Sequence, residues 1–123
     1  MAIPCHILVE HSPIVIYASR NGAPDKILRL LGRFLETFGQ ERETAGEVSD
    51  TPECLVAQVI VRFGFEFCED DFSNLRASLK FYKDVDYLYH INDKLETTVW
   101  VPQEAYYQDP DLGLKGCAQW VTA

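Results

Sequence analysis

Residues 75–101 read LRASLKFYKDVDYLYHINDKLETTVWV, and the expected fold turns on how that run is parsed. Leu75, Ala77, Leu79 and Phe81 alternate with Arg76, Ser78, Lys80 and Tyr82. Val85, Tyr87, Tyr89 and Ile91 alternate with Asp86, Leu88, His90 and Asn92, and Leu95, Thr97, Val99 and Val101 complete the series. A period of two marks strands with one buried face. Three apolar sets share a face only if each turn holds an odd number of residues, as Tyr82-Lys83-Asp84 and Asn92-Asp93-Lys94 do. The run therefore predicts a three-stranded antiparallel meander in which Phe81 faces Val85, Leu79 faces Tyr87, Ile91 faces Leu95 and Tyr87 faces Val99. Its outer face sets Lys80 opposite Asp86 and His90 opposite Glu96, whose carboxylate would raise the His90 pKa.

Working towards the N-terminus, two short strands are expected at Cys5 to Glu10 and Ile14 to Ser19, joined around His11-Ser12-Pro13. A two-residue turn between Glu10 and Pro13 sets Val9 against Ile14 and Ile7 against Ile16, while Leu8, Val15 and Tyr17 face the other way. A hairpin that is apolar on both faces belongs in the middle of a sheet. Asn21-Gly22 marks a turn, and Pro24 with Asp25 opens an amphipathic helix whose stripe is Ile27, Leu30, Leu31, Phe34, Leu35 and Phe38, with Gly39 as its terminator.

Lys26, Arg29 and Arg33 lie on the other face of that helix, either as a solvated face facing Glu41, Glu43 and Glu47 or as a docking ridge for an acidic partner. Residues 40–51 lack periodicity and read as a loop. The start signal at Pro52-Glu53 favours a helix to Phe63, although Val59, Val61, Phe63, Phe65 and Phe67 also fit a strand. Pro102 to Tyr106 reads as a helical turn, and 109–123 as an irregular tail that Trp120 pins to the body.

The expectation is one α+β domain over 1–123, with a five-stranded antiparallel sheet in β-β-α-α-β-β-β order and two helices packed on one face. That order resembles the layout of PAS, profilin and roadblock-type domains, without any of their sequence motifs.

Composition limits the function classes. With 47% hydrophobic residues against 24% charged, the chain is rich enough in apolar side chains to fold around a core. No apolar run is long enough to cross a bilayer, and the N-terminus lacks a secretion signal, so a cytoplasmic location is expected. The net charge of −8 is concentrated in residues 41–74, which hold nine acidic and two basic groups, so nucleic acid is an unsuitable ligand. Cys5, Cys54, Cys68 and Cys117 show no CxxC spacing and read as reduced thiols.

The motifs of serine hydrolases, phosphate loops, dinucleotide sites and zinc proteases are all missing, so neither catalytic residues nor a cofactor is assigned. Cys5, His6 and His11 make an awkward metal set, because adjacent strand residues face opposite ways. Glu69, Asp70 and Asp71 lack calcium-loop spacing, and no metal is assigned. A nucleophilic Cys54, Cys68 or Cys117 served by His90 has no supporting motif.

Two functional expectations remain, with a small enzyme ranked behind them. The first is a regulatory or adaptor protein that binds another protein, or a second copy of itself, through an outer sheet face carrying Tyr82, Leu88, His90, Glu96 and Trp100. Its rival is that the tail folds back over that face. The second is a sensor domain with a ligand pocket between helices and sheet, to which Tyr87 and Tyr89 supply polar contacts, and whose mark would be a cavity of a few hundred Å3 with a convergent polar group.

Overall fold

A computed structural model describes residues 3–45, 51–63 and 75–120. The chain is α+β, with a six-stranded mixed sheet. Its strands are β1 (Cys5–Val9), β2 (Val15–Ala18), β3 (Leu75–Ser78), β4 (Tyr87–Ile91), β5 (Thr97–Pro102) and β6 (Cys117–Gln119), in the spatial order β3-β2-β1-β4-β5-β6. The helices are α1 (Pro24–Ala45), α2 (Thr51–Gln58), which runs on as a π-helical turn over Val59–Phe63, and α3 (Glu104–Gln108), followed by a 3-10 segment over Pro110–Gly116.

The N-terminal hairpin forms in the expected register, with Ile7 opposite Ile16 and Leu8 opposite Val15. Every residue of both strands is buried, as a double-sided apolar pattern requires. Strand β1 is central, and its second neighbour is β4, which runs parallel to it from Cys5 beside Tyr87 to Val9 beside Ile91.

The meander is the principal correction. Strand β3 does not pair with β4; it lines the far edge against β2, with Ile16 opposite Ala77 and Ala18 opposite Leu75. The expected pairs Phe81–Val85, Leu79–Tyr87 and Lys80–Asp86 therefore do not form. Alternation reports which face a side chain takes, not which strand lies beside it. Burial explains the sorting. Strand β4 offers Tyr89 and Ile91 to one face and Leu88 to the other, all fully buried, whereas Arg76 and Ala77 of β3 are exposed and suit an edge. Leu79, 70% exposed, lies just beyond β3, where the Ser78 hydroxyl donates to the Lys80 carbonyl and accepts from the Lys80 amide.

Strands β4 and β5 do form a hairpin, displaced from the expected register by two residues. Tyr89 faces Val99, His90 faces Thr98 and Ile91 faces Thr97. The three loop residues are Asp93-Lys94-Leu95, because the Asn92 amide donates to the Glu96 carbonyl and the Asn92 Oδ1 accepts from the amides of Lys94 and Glu96, both at 2.9 Å. Leu95 takes the left-handed conformation (φ 61°) that this loop type needs at its third position. A shift of two preserves parity, so Tyr89 and Val99 still point to the helices.

Gly39 does not end α1. The helix continues to Ala45, and a Cβ at Gly39 would lie 3.1 Å from Leu95 Cδ1, so the glycine makes room for the hairpin tip. Residues 40–45, expected in a loop, are thus helical, and Glu41 accepts from Arg62 Nη1 at 2.9 Å and 3.0 Å. The helical alternative for the second segment holds, with Leu55, Val56 and Val59 buried. Phe65, Phe67, Cys68 and the acidic run at 69–71 lie outside the described residues, as does Glu47.

The sheet is covered on both faces. Against α1 and α2 lie Cys5, Ile7, Val9, Ile16, Tyr89, Ile91 and Val99, packed on Ile27, Leu31, Leu35, Phe38, Leu55 and Val59. On the opposite face Leu8, Val15, Tyr17 and Leu88 meet Val85, Tyr106, Phe81 and Leu114. The second cover has two sources. Residues 79–86 run from the β3 edge to β4, and beyond β5 the expected helical turn forms as α3, while the stretch expected to be an irregular tail folds back as the 3-10 segment and β6, which pairs with β5.

His6 ties the crossing segment to the sheet. It is fully buried, its Nδ1–H donates to the Ile16 carbonyl at 3.1 Å, and its Nε2 accepts from the Tyr82 amide at 2.8 Å, so the ring is neutral with one defined tautomer. The rings of Tyr17, Phe81 and Tyr82 meet it edge-on with centroids 5.6–5.7 Å away. Burial holds its pKa down to about 4, against smaller upward pulls from the two backbone hydrogen bonds and Asp84. The unfolded chain protonates this ring near 6.5, so the stability His6 provides is full above that value and drains away as pH falls towards 4. Integrated between pH 7 and pH 5, the loss is about 2 kcal/mol. Urea unfolding should show that loss in the wild type. His6→Phe should be less stable at pH 7 by about 2 kcal/mol, because two buried polar groups lose their partner, and should lack the His6 part of the pH dependence. Identical pH dependence in the two proteins would refute the assignment.

Candidate functional site

Because β1 and β4 are parallel, their C-terminal ends lie side by side on one edge of the sheet. In sheets with parallel strands that edge is the usual place for a ligand, since loops diverge there and leave a crevice. In this chain a cleft of about 310 Å3 opens at that edge. Val9, Phe38, Leu55 and Leu95 give it an apolar lining, and Gly39 and Pro52 contribute little side-chain bulk. Glu10, His11, Arg42, Glu43, Asn92 and Asp93 provide its polar groups. A more open groove of about 670 Å3, on the α1–β5 side of Leu95, is lined by Gly32, Glu36, Gln40 and Lys94 among others and offers less apolar enclosure.

Backbone hydrogen bonds fix the rim. The Glu10 amide donates to the Ile91 carbonyl at 2.9 Å and extends the β1–β4 pairing by one residue. His11 then adopts φ 69°, and the Ser12 amide closes the turn on the Val9 carbonyl at 3.1 Å. Across the gap the Asp93 amide donates to Glu10 Oε2 at 3.0 Å, while His11 Nε2 lies 3.6 Å from Asp93 Oδ1. Glu10 and then His11 hold the Asp93 carboxyl below its ordinary range. On the helix side Arg42 reaches Cys54 Sγ with Nη1 at 3.6 Å.

The residues expected to bind a partner sit elsewhere. Leu88 is sealed beneath Tyr106 and Val85, so it is core rather than surface. Trp100 is half-buried in the same cluster and donates from Nε1 to Thr98 Oγ1 at 3.0 Å. Tyr82 is half-buried with its ring stacked on Tyr17 at 4.0 Å. His90 faces Thr98, not Glu96, and Glu96 instead accepts from Asn92 Nδ2 at 3.2 Å. Leu114 and Cys117 of the returning C-terminal stretch pack into the cluster over Leu88, while His90 and Trp100 stay half-buried and Glu96 is exposed.

Tyr87 and Tyr89 do not line the cleft. The Tyr89 hydroxyl donates to the Gly22 carbonyl at 2.5 Å, and burial raises its pKa. Of the basic ridge, Arg29 and Arg33 are exposed and Lys26 is half-buried. Cys5, Cys54 and Cys117 are free thiols. Burial pushes Cys5 up to about 12 and Cys117 up to about 11, the reverse of what a nucleophile needs.

Sequence reasoning missed Glu10, His11 and Asp93 as a group. Glu10 closes an expected strand, His11 is weighed as a ligand only with Cys5 and His6, and Asp93 is a turn residue; the one signal linking them, two strands apolar on both faces and each followed by an acidic turn, gains meaning only once the strands are known to be parallel neighbours. No family model, curated protein or solved structure matches this chain, so function is argued from the site alone. Among the described residues no helix is long and apolar enough to cross a membrane.

Leu88 provides the test of the covered face. Leu88→Ala should cost about 3 kcal/mol in chemical denaturation, as for a core cavity, whereas a surface leucine would cost almost nothing.

Proposed function

We propose that this protein binds a small molecule in the cleft between α1, α2 and the C-terminal ends of β1 and β4. The observation that carries this reading is the cleft itself, whose volume of about 310 Å3 falls at the lower end of the range for small-molecule sites. Its construction supports the same reading. Val9, Phe38, Leu55 and Leu95 favour an apolar ligand body by removing its surface from water, at about 25 cal/mol per Å2. The charged and amide groups along the rim orient a polar end towards solvent. The function is read as binding or sensing rather than catalysis, because Glu10, His11 and Asp93 on the rim are engaged with one another, through the Asp93 amide on Glu10 and the His11–Asp93 contact.

Leu95 connects the ligand site to the fold. It sits in a strained loop position, is half-buried, and packs towards the glycine that α1 presents, so an occupant of the cleft would press on both the hairpin and the helix. Indole, hexylamine and hexanoate are suitable probes, because they combine an apolar body with neutral, cationic and anionic character. In amide-shift titrations at least one should saturate, with the largest changes at residues 9–11, 38–43 and 92–95. Leu95→Asp tolerates the left-handed backbone, places a carboxylate on the apolar wall, and should weaken binding at least about tenfold. Saturation by none of the probes, or unchanged affinity in Leu95→Asp, would overturn the proposal.

A further inference from the structure

The rim of the cleft holds a second constellation. Glu10, His11 and Asp93 present two carboxylates and one imidazole whose ligating atoms all lie within 4.8 Å of one another. We propose that these three side chains form a binding site for a divalent transition-metal cation, of the manganese, cobalt or zinc type. The inference stands apart from the cleft reading, since it requires no organic ligand.

Three observations lead to it. The donor set is chemically mixed: carboxylate oxygens with one imidazole nitrogen match borderline divalent ions better than calcium, which takes oxygen ligands only. The backbone beneath the donors is fixed, because the β1–β4 pairing, the Glu10 amide bond to Ile91 and the Asp93 amide bond to Glu10 determine where each side chain starts. Two of the three side chains have room to adjust. His11 and Asp93 are 64% and 66% exposed with their ligating atoms 3.6 Å apart, so solvent rather than packing surrounds the donors that must draw together on one ion.

Electrostatics favours the same occupant. Two carboxylates converge on one imidazole, and a divalent cation would neutralise both while taking the nitrogen lone pair. Three protein donors leave the remaining coordination positions to water, as in open rather than structural metal sites.

The test uses the whole chain and two ions. Manganese titration followed by paramagnetic broadening should erase amide signals around residues 9–12 and 92–95 first, and zinc calorimetry should show one site of roughly micromolar affinity. His11→Asn keeps a residue that accepts a left-handed backbone and removes the imidazole, while Asp93→Asn removes one carboxylate. Each should weaken zinc binding at least about tenfold, with unchanged far-ultraviolet circular dichroism. Broadening centred elsewhere, or unchanged affinity in His11→Asn, would overturn the proposal, and so would the absence of manganese broadening at millimolar ion. None of these results depends on whether indole, hexylamine or hexanoate enters the cleft.

Discussion

Strand β1 is buried on both faces and at both edges, and the rest of the architecture follows from that constraint. A buried strand must hand every backbone donor and acceptor to a neighbour, because an unpaired peptide group away from water costs several times what a made hydrogen bond contributes. Strand β2 satisfies one edge through a tight hairpin. The other edge is taken by β4, which has apolar side chains for both faces. Because that pairing is parallel, the turns after β1 and β4 emerge together, and the cleft and its charged rim arise from the same arrangement.

A sheet apolar on both faces needs two covers, and this chain builds them from different material. The helix side is an ordinary amphipathic packing of α1 and α2. The opposite side is assembled from aromatic residues in a crossing segment and a returned C-terminal stretch, and polar links hold it in place. His6 receives the Tyr82 amide, and the Tyr106 hydroxyl donates to the Tyr82 carbonyl, so one residue of the crossing segment is gripped from the sheet below and the cover above. Gly116 allows a close approach in this layer, since a Cβ there would lie 2.8 Å from the Tyr106 Cα.

The parts of the fold legible in the sequence were local or depended on parity. The Ile7–Ile16 register, the start of α1 at Pro24 and the inward face of Tyr89 and Val99 each follow from residues a few positions apart. Strand order was not legible, because alternation in β3 is the same whether its neighbour is β2 or β4. Gly39 misled because a helix-stopping residue and a residue shaved away for a neighbour look identical until Leu95 is placed beside it. The rim suffered from distance: Glu10 and His11 belong to one turn and Asp93 to another, and only the parallel pairing connects them.

The β1–β4 pairing also determines the order in which the molecule can assemble. Cys5 waits for Tyr87, so this ladder closes a loop of about 80 residues, at an entropic cost of about 4 kcal/mol before any of its contacts form. During synthesis the β1–β2 hairpin can zip as soon as it emerges, yet the other edge of β1 stays open until residues 87–91 have followed. That interval, with an apolar strand edge bared to other chains, makes slower folding the cost of pairing β1 with a strand about 80 residues away.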